Sequence, residues 1–315
     1  MSTGYYAFHQ HFGHDTGEDH PEHACRILAL EQILKKSGVW DHLTIHEGQA
    51  AHLPDILRAH SKAYVDELHL IQPEQGHIMV DEDTTMSSGS LEAALYSVGT
   101  TTQALDDLLK NVHHNAFAAI RPPGHHAERS KSMGFCFFNN TAVAALRAAD
   151  VHHLQRIAIL DFDAHQGNGT IDILQNDQRF LLLSSFQHPF YPYTHFEQNK
   201  YTNLVNVHLS QGATGTEFRQ GIEEHWAPAL KRFAPELILV SAGFDAHKDD
   251  PMAELNLEEQ DFAWIGQWIA RYCQSRNIPW LAILEGGYDL NALARSATLF
   301  IAAMLEKQAI QQTSA

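Results

Sequence analysis

The chain has 315 residues, with 21 lysines and arginines against 38 aspartates and glutamates, for a formal net charge of −17. That balance argues against nonspecific nucleic-acid binding, which needs basic patches, and it tolerates cationic partners. With 44% hydrophobic and 19% charged residues the chain reads as globular and large enough to bury a substantial core. The 23 histidines are scattered, with no run longer than two, so position must identify those that do chemistry. Three cysteines, Cys25, Cys136 and Cys273, are odd in number and lack metal spacing, which predicts free thiols in a reducing compartment. The N-terminus shows no basic segment followed by an apolar one, and apolar stretches such as Ala297–Leu305 are too short to cross a bilayer. A soluble cytoplasmic protein with no membrane partner is the expectation.

No Pro/Gly/Ser-rich linker, repeat or low-complexity segment divides the chain, so a single domain over residues 1–315 is expected. In chain order, helical spacing at Ala24–Lys36 and Ser90–Leu109 precedes a short β-branched or aromatic run at Phe117–Ile120. A helix at Asn140–Ala149 follows, then strand-like runs at Ile157–Leu160, Phe180–Leu183 and Leu204–Leu209. The remainder alternates: helix Thr216–Phe233, strand Leu237–Val240, helix Leu257–Gln274, strand Trp280–Leu284 and helix Leu290–Gln308. Strands alternating with helices predict a parallel sheet covered on both faces.

Five of these runs end in unusual residues. Ile120 leads into Arg-Pro-Pro-Gly-His-His, Leu160 into Asp-Phe-Asp-Ala-His, and Leu183 into Ser-Ser. Val240 leads into Ser-Ala-Gly-Phe-Asp and Leu284 into Glu-Gly-Gly-Tyr. Ligand crevices of open α/β sheets lie at the carboxyl ends of strands, so the five clusters should converge.

Asp161, Asp163 and His165 alternate with period two, which on extended backbone aims them to one side. Two carboxylates and an imidazole suit a divalent metal, and Asp245 ends another strand. Asp163, His165 and Asp245 would leave an open position for water or substrate. Asp161 then remains for a supporting or second-ion role. Read alone, the same residues also suit caps and satisfied loop carboxylates. His125 and His126 are general acid–base candidates if the Pro-Pro-Gly turn is sharp enough to bring both into one crevice. A phenol at Tyr288 could donate to a developing oxyanion, or simply form part of the rim.

Together these clusters resemble the zinc-dependent histone deacetylase family, including its bacterial members and the acetylpolyamine amidohydrolases. The motifs are Arg121–Ala127, Asp161–Thr170, Ser241–Ala246 and Glu285–Tyr288, and the likeness runs from His20-Pro21-Glu22 nearly to the end. The wording of the last two is similar to the class II branch. The resemblance implies an α/β arginase/deacetylase fold, a three-layer domain with a central parallel sheet of about eight strands. It implies one zinc on Asp163, His165 and Asp245, with Asp161 orienting His125 and His126 as base and then acid. Tyr288 would face the zinc across the substrate carbonyl. Phe135, after Gly134, and Tyr191 would form the aromatic walls of an acyl-lysine tunnel, and Arg26 would line an internal cavity for the acetate product. Asp161, Asp163, His165, Ser184 and Ser185 match a structural potassium site, largely through backbone carbonyls. Asn168 stands where class I members have aspartate, which should help His126 stay neutral.

The implied reaction is removal of acetyl or other acyl groups from lysine side chains of peptides or proteins. The alternative is hydrolysis of acetylated polyamines. Polyamine-selective relatives carry a glutamate after the Asp-Pro that follows the last ligand, whereas Asp250-Pro251 is followed by Met252, which favours acyl-lysine. Asp83 or Glu82 could still face the mouth and hold a peptide backbone or a cation. Arginase-like chemistry would need another aspartate two residues beyond Asp245, where this chain has His247. A decayed, non-enzymatic binder is disfavoured because Asp163, His165, Asp245, His126 and Tyr288 are all present.

Overall fold

The computed structural model describes residues 2–193 and 203–305. Ten strands form: β1 (Thr3–Ala7), β2 (Leu43–Glu47), β3 (His77–Met79), β4 (Thr85–Ser87), β5 (Asn115–Ala118), β6 (Ile157–Asp161), β7 (Phe180–Gln187), β8 (Leu204–Leu209), β9 (Leu237–Ala242) and β10 (Trp280–Leu284). β3 and β4 make a separate antiparallel hairpin. The other eight form one parallel sheet in the order β2-β1-β5-β10-β9-β6-β7-β8. All six runs read as strands lie in it, and the arginase/deacetylase-type α/β architecture is the one observed.

Parallel strands are buried on both faces, which is why they read as nearly unbroken apolar runs. Their alternate residues feed two separate cores. Phe117, Leu160, Val240 and Ala282 face one, against the helices α1 (Cys25–Ser37), α9 (Glu259–Gln274) and α10 (Leu290–Leu305). Ala116, Ile159, Leu239 and Ile283 face the other, against α2 (Leu53–Ala59), α3 (Lys62–Ile71), α4 (Ser90–Leu109), α5 (Asn140–Asp150) and α6 (Asn168–Leu174). The helix read at Thr216–Phe233 is α7 (Gly215–Gly221) and α8 (Ala227–Phe233), joined by one π turn over Ile222–Trp226. The helix read to Gln308 is seen to Leu305, and 306–308 lie outside the described residues.

Four strands escape the sequence reading: β3 and β4 of the short hairpin, and two strands of the main sheet. β1 carries the polar-headed run Thr-Gly-Tyr-Tyr-Ala, and β2 is an edge strand with Thr44 and Ile45 exposed. Neither has the apolar density that burial on both faces imposes on the central strands. The first run predicted as a strand, Phe117–Ile120, is shifted: the ladder covers 115–118, and Ala119 and Ile120 begin the dyad loop.

This topology positions the site. β5, β10, β9, β6 and β7, whose ends carry the five clusters, are consecutive neighbours in the sheet. The chain leaves β5 and enters β6 with two later strands between them, so a crevice opens at the carboxyl edge.

A buried histidine secures the loop beside that crevice. His60, at the end of α2, accepts from the Asn139 amide at Nε2 (2.9 Å), so its Nδ1–H donates to the Glu128 carbonyl (3.0 Å). Burial lowers its pKa from 6.5 to about 4, outweighing the hydrogen bond to the Glu128 carbonyl. The unfolded chain therefore binds a proton that the folded chain refuses between those values, and stability is lost as pH falls from 6.5 to 4. The loss attributable to this residue is up to roughly 3 kcal/mol. Urea unfolding across that interval should show a shallower decline for His60→Gln than for the parent chain, and parallel curves would refute the assignment.

Candidate active site

The loop after β6 does not continue as a strand. Asp161 closes β6, but its Oδ1 accepts from the Asp163 amide (3.1 Å), and Asp163 Oδ1 accepts from the His165 amide (2.9 Å). These side chain-to-backbone bonds fold the segment into successive turns. The period-two reading is thus corrected. Asp161 turns its Oδ2 to His125 Nδ1 (3.0 Å), while Asp163, its Oδ1 3.8 Å from His125 Nε2, turns with His165 to a third residue.

They meet Asp245. His165 Nδ1 lies 3.1 Å from both Asp163 Oδ1 and Asp245 Oδ2, and one ligand atom from each of the three residues falls within 4.8 Å of the others. All three side chains are buried. His165 Nε2 is 3.1 Å from the Met252 carbonyl, an acceptor, so Nε2 carries the hydrogen and Nδ1 faces the two carboxylates. Two buried carboxylates and an imidazole nitrogen converging on one point fit a divalent cation, which would neutralise them. Gly286 donates its amide to Asp163 Oδ2 (2.9 Å), and a Cβ there would collide with both Asp163 and Asp245. Gly287 takes φ 121° to turn the chain toward Tyr288.

The turn after Pro122-Pro123 is sharp enough to bring both imidazoles to one place. His125 and His126 are buried, with ring centroids 4.0 Å apart. Burial opposes charge on His125, but Asp163, Asp161 and the hydrogen bond to Asp161 together push its pKa up to about 10. His126 goes the other way: burial, then the neighbouring His125 and His165, hold its pKa well below the usual value. Its Nδ1 is 2.7 Å from Asn168 Oδ1. The Asn168 amide is oriented by Glu128, whose Oε1 accepts from Nδ2 (2.8 Å). An oxygen facing Nδ1 requires Nδ1–H, which leaves the lone pair of His126 on Nε2.

Tyr288 is half-buried, edge-on to Phe135 at 5.7 Å. Burial raises its phenol pKa well above 10, so it remains a donor. Its amide donates to Asp250 Oδ2 (2.5 Å). Arg26 is wholly buried beneath this loop. Its Nε donates to the Gly287 carbonyl (2.7 Å), its other nitrogens reach the Glu285 carbonyl and Glu22, and its cation lies 4.9 Å from the Tyr288 ring centroid. The partners seen for Arg26 are thus those of a support for the Tyr288 loop.

Tyr191 stands edge-on to His126 (5.2 Å) and His165 (5.9 Å), opposite the Phe135 and Tyr288 pair. Gly134 lies against the His126 ring. Met252 enters the site through its carbonyl. Asp83 is near the same loops, with Glu82 exposed beside it. The Ser184 and Ser185 hydroxyls are buried without hydrogen-bond partners, and Asp161 and Ser184 line one small cavity with Gly167 and Thr170. Orphaned buried oxygens of this kind mark a place for a water or an ion.

Residues without an assigned role in the sequence reading also build the site. Glu285 accepts from the Gly124 and His125 amides (2.7 and 3.1 Å) and so anchors the dyad loop. Phe190 stacks on His165 at 5.6 Å. Asp250 and Glu128 act through Tyr288 and Asn168. Only Glu285, inside a motif, carried a sequence signal; the rest depend on contacts between distant segments.

Two buried imidazoles beside three residues that could hold a metal ion, at the carboxyl edge of a parallel sheet, are an arrangement that fits an α/β hydrolase. The histone deacetylase domain matches residues 20–304, and the chain belongs to that family. It is 33% identical to a probable deacetylase of Archaeoglobus fulgidus, over 96% of this chain and 86% of that protein. It is 34% identical to the histone deacetylase-like amidohydrolase of Pseudomonas aeruginosa, over 82% of this chain and 70% of that protein. The crystal structure of the HDA15 HD domain aligns with a TM-score of 0.90 at 28% identity, covering 98% of this chain and 90% of that one. No helix among the described residues is long and apolar enough to cross a membrane.

The trio predicts one tightly held divalent ion per chain. Elemental analysis after dialysis against zinc should find it in the parent protein and lose it in Asp245→Ala and His165→Ala. Retention of a stoichiometric ion in both variants would remove the trio from the metal site.

Proposed function

We propose that the protein is a zinc-dependent hydrolase removing acetyl or other acyl groups from the side-chain amide of lysine in peptides or proteins. The observation that carries this reading is a pair of buried, adjacent imidazoles, one held by Asp161 and the other by Asn168, beside the converging Asp163, His165 and Asp245. Zinc on that trio would supply Lewis acidity toward an amide carbonyl and toward water.

The chain's own residues supply the rest. His126, neutral and with Nε2 free, takes a proton from the attacking water and returns it to the leaving amine, which departs only when protonated. His125, held charged by Asp161, keeps positive charge beside that base and so opposes its premature protonation. Asn168 fixes the His126 ring and tautomer without adding a carboxylate charge. Tyr288 donates its hydroxyl to the oxygen that gains charge in the transition state. Phe135, Gly134 and Tyr191 flank the approach as apolar walls for the acyl-lysine stem. Arg26 holds the Tyr288 loop in place.

Asp161, Asp163 and His165 with Ser184 and Ser185 would hold a structural potassium ion, a reading supported by the two orphaned hydroxyls. Met252 puts no carboxylate where a distant ammonium would need one, which supports lysine over polyamine as the amine carrier. The free cysteines support a reducing, cytoplasmic setting for the chain, with residues 1–315 acting as one catalytic unit.

Catalytic efficiency on acetyl-lysine peptides, longer acyl-lysine peptides and acetylated polyamines tests the assignment; a large polyamine preference would overturn the choice of carrier. Tyr288→Phe should keep its metal and lose about 10²–10³-fold in kcat. Near-normal turnover in that variant would eliminate the oxyanion role.

A further inference from the structure

The hairpin of β3 and β4 carries Asp83 and Thr84 to the walls of the site. Gly134 and Phe135 adopt successive left-handed conformations, φ 58° and 67°, unusual for a phenylalanine. Their amides are turned to the β3–β4 hairpin loop, where each finds its own side-chain oxygen. Here the Gly134 amide donates to Asp83 Oδ1 (2.9 Å) and the Phe135 amide to Thr84 Oγ1 (3.2 Å), while the Thr84 hydroxyl donates to the same Asp83 oxygen (3.0 Å). The other oxygen, Asp83 Oδ2, accepts from the Tyr191 hydroxyl (2.9 Å). One carboxylate thus holds Phe135 through the loop backbone and Tyr191 through its phenol.

Phenylalanine at 191 would line a tunnel as well as tyrosine. Among the described residues, the one hydrogen bond of the Tyr191 hydroxyl is to Asp83. We infer that Asp83 is a positioning residue that braces the two aromatic walls and fixes the width of the acyl tunnel, so that the Asp83–Tyr191 hydrogen bond sets acyl-length selectivity. The inference rests on the acyl-lysine reading of the site. It differs from a role in which Asp83 holds a substrate cation or backbone by its charge. Asparagine at 83 can keep the brace, its oxygen accepting from Gly134 and Thr84 and its amide donating to the Tyr191 oxygen, yet it carries no charge.

Kinetics on acetyl- and butyryl-lysine peptides separate the two roles. Tyr191→Phe and Asp83→Ala should each raise KM more than they change kcat and reduce the acetyl-over-butyryl preference by about threefold or more. The double variant should go no further than either single one, because both remove the same interaction. Asp83→Asn should retain the parent selectivity. If Asp83→Asn behaves like Asp83→Ala while Tyr191→Phe keeps the parent selectivity, charge and not bracing is the role, and the inference fails.

Hydrogen exchange reads the brace without turnover. The Gly134 and Phe135 amides should stay protected in the parent and Asp83→Asn proteins and exchange at least about tenfold faster in Asp83→Ala. Unchanged protection in Asp83→Ala overturns the brace even in an active enzyme. Protection behaving as expected in a protein that hydrolyses no acyl-lysine peptide overturns the functional reading and the selectivity claim, and leaves the brace itself supported.

Discussion

Carboxylates packed together out of water are the constraint around which this protein is arranged. Asp161, Asp163 and Asp245 are each less than 5% exposed, and all stand at the ends of neighbouring strands. Burying like charges together is costly unless donors or cations surround them. The chain provides amide donors from Asp163, Ala164, His165 and Gly286, and imidazoles from His125 and His165. The glycines at 243 and 286 follow from the same crowding, since a Cβ at either would strike the carboxylates. What the donors leave unbalanced is a point toward which Asp163, His165 and Asp245 all turn, and there a metal ion fits.

Protonation differences within the dyad follow from this charge. At His125 the carboxylates outweigh burial and push the pKa up to about 10; at His126, one residue on and facing a neutral amide, burial and the neighbouring rings hold it low. Adjacent residues of one type thus acquire different chemistry from partners far away in the chain. Glu128 extends the control outward, because orienting the Asn168 amide selects the tautomer of His126.

The tyrosine side is built on a second buried ionic cluster. Glu22 accepts from both Arg26 and Arg121, and Arg121 also donates to the His11 and His14 carbonyls. Burial opposes ionisation of Glu22, but Arg121, His14 and Arg26 hold its pKa far below the ordinary range. Arg26 then ties this cluster to the carbonyls of Glu285 and Gly287, so the N-terminal segment and the Tyr288 loop are one unit. The loop that bears Tyr288 is therefore set by residues more than 250 positions earlier in the chain.

Much of this was legible without coordinates. Apolar runs marked the central strands because burial on both faces leaves a continuous hydrophobic signature. Short motifs at their ends exposed Asp163, His165, Asp245, the histidine pair and Tyr288, because each motif keeps its residues within a few positions. β1 and the edge strand β2 left too weak a signature, and the turns after Asp161 are closed by side-chain hydrogen bonds that periodicity does not report. The fold class and the candidate residues for chemistry could thus be read from short stretches of chain. Only the fold shows how unlike the surroundings of the two imidazoles are, and only the fold brings Asp83, Glu128, Asp250 and Glu285 against the residues that the motifs supply. Those outcomes depend on burial and on partners brought together across the sheet, and neither is a property of any local stretch of chain.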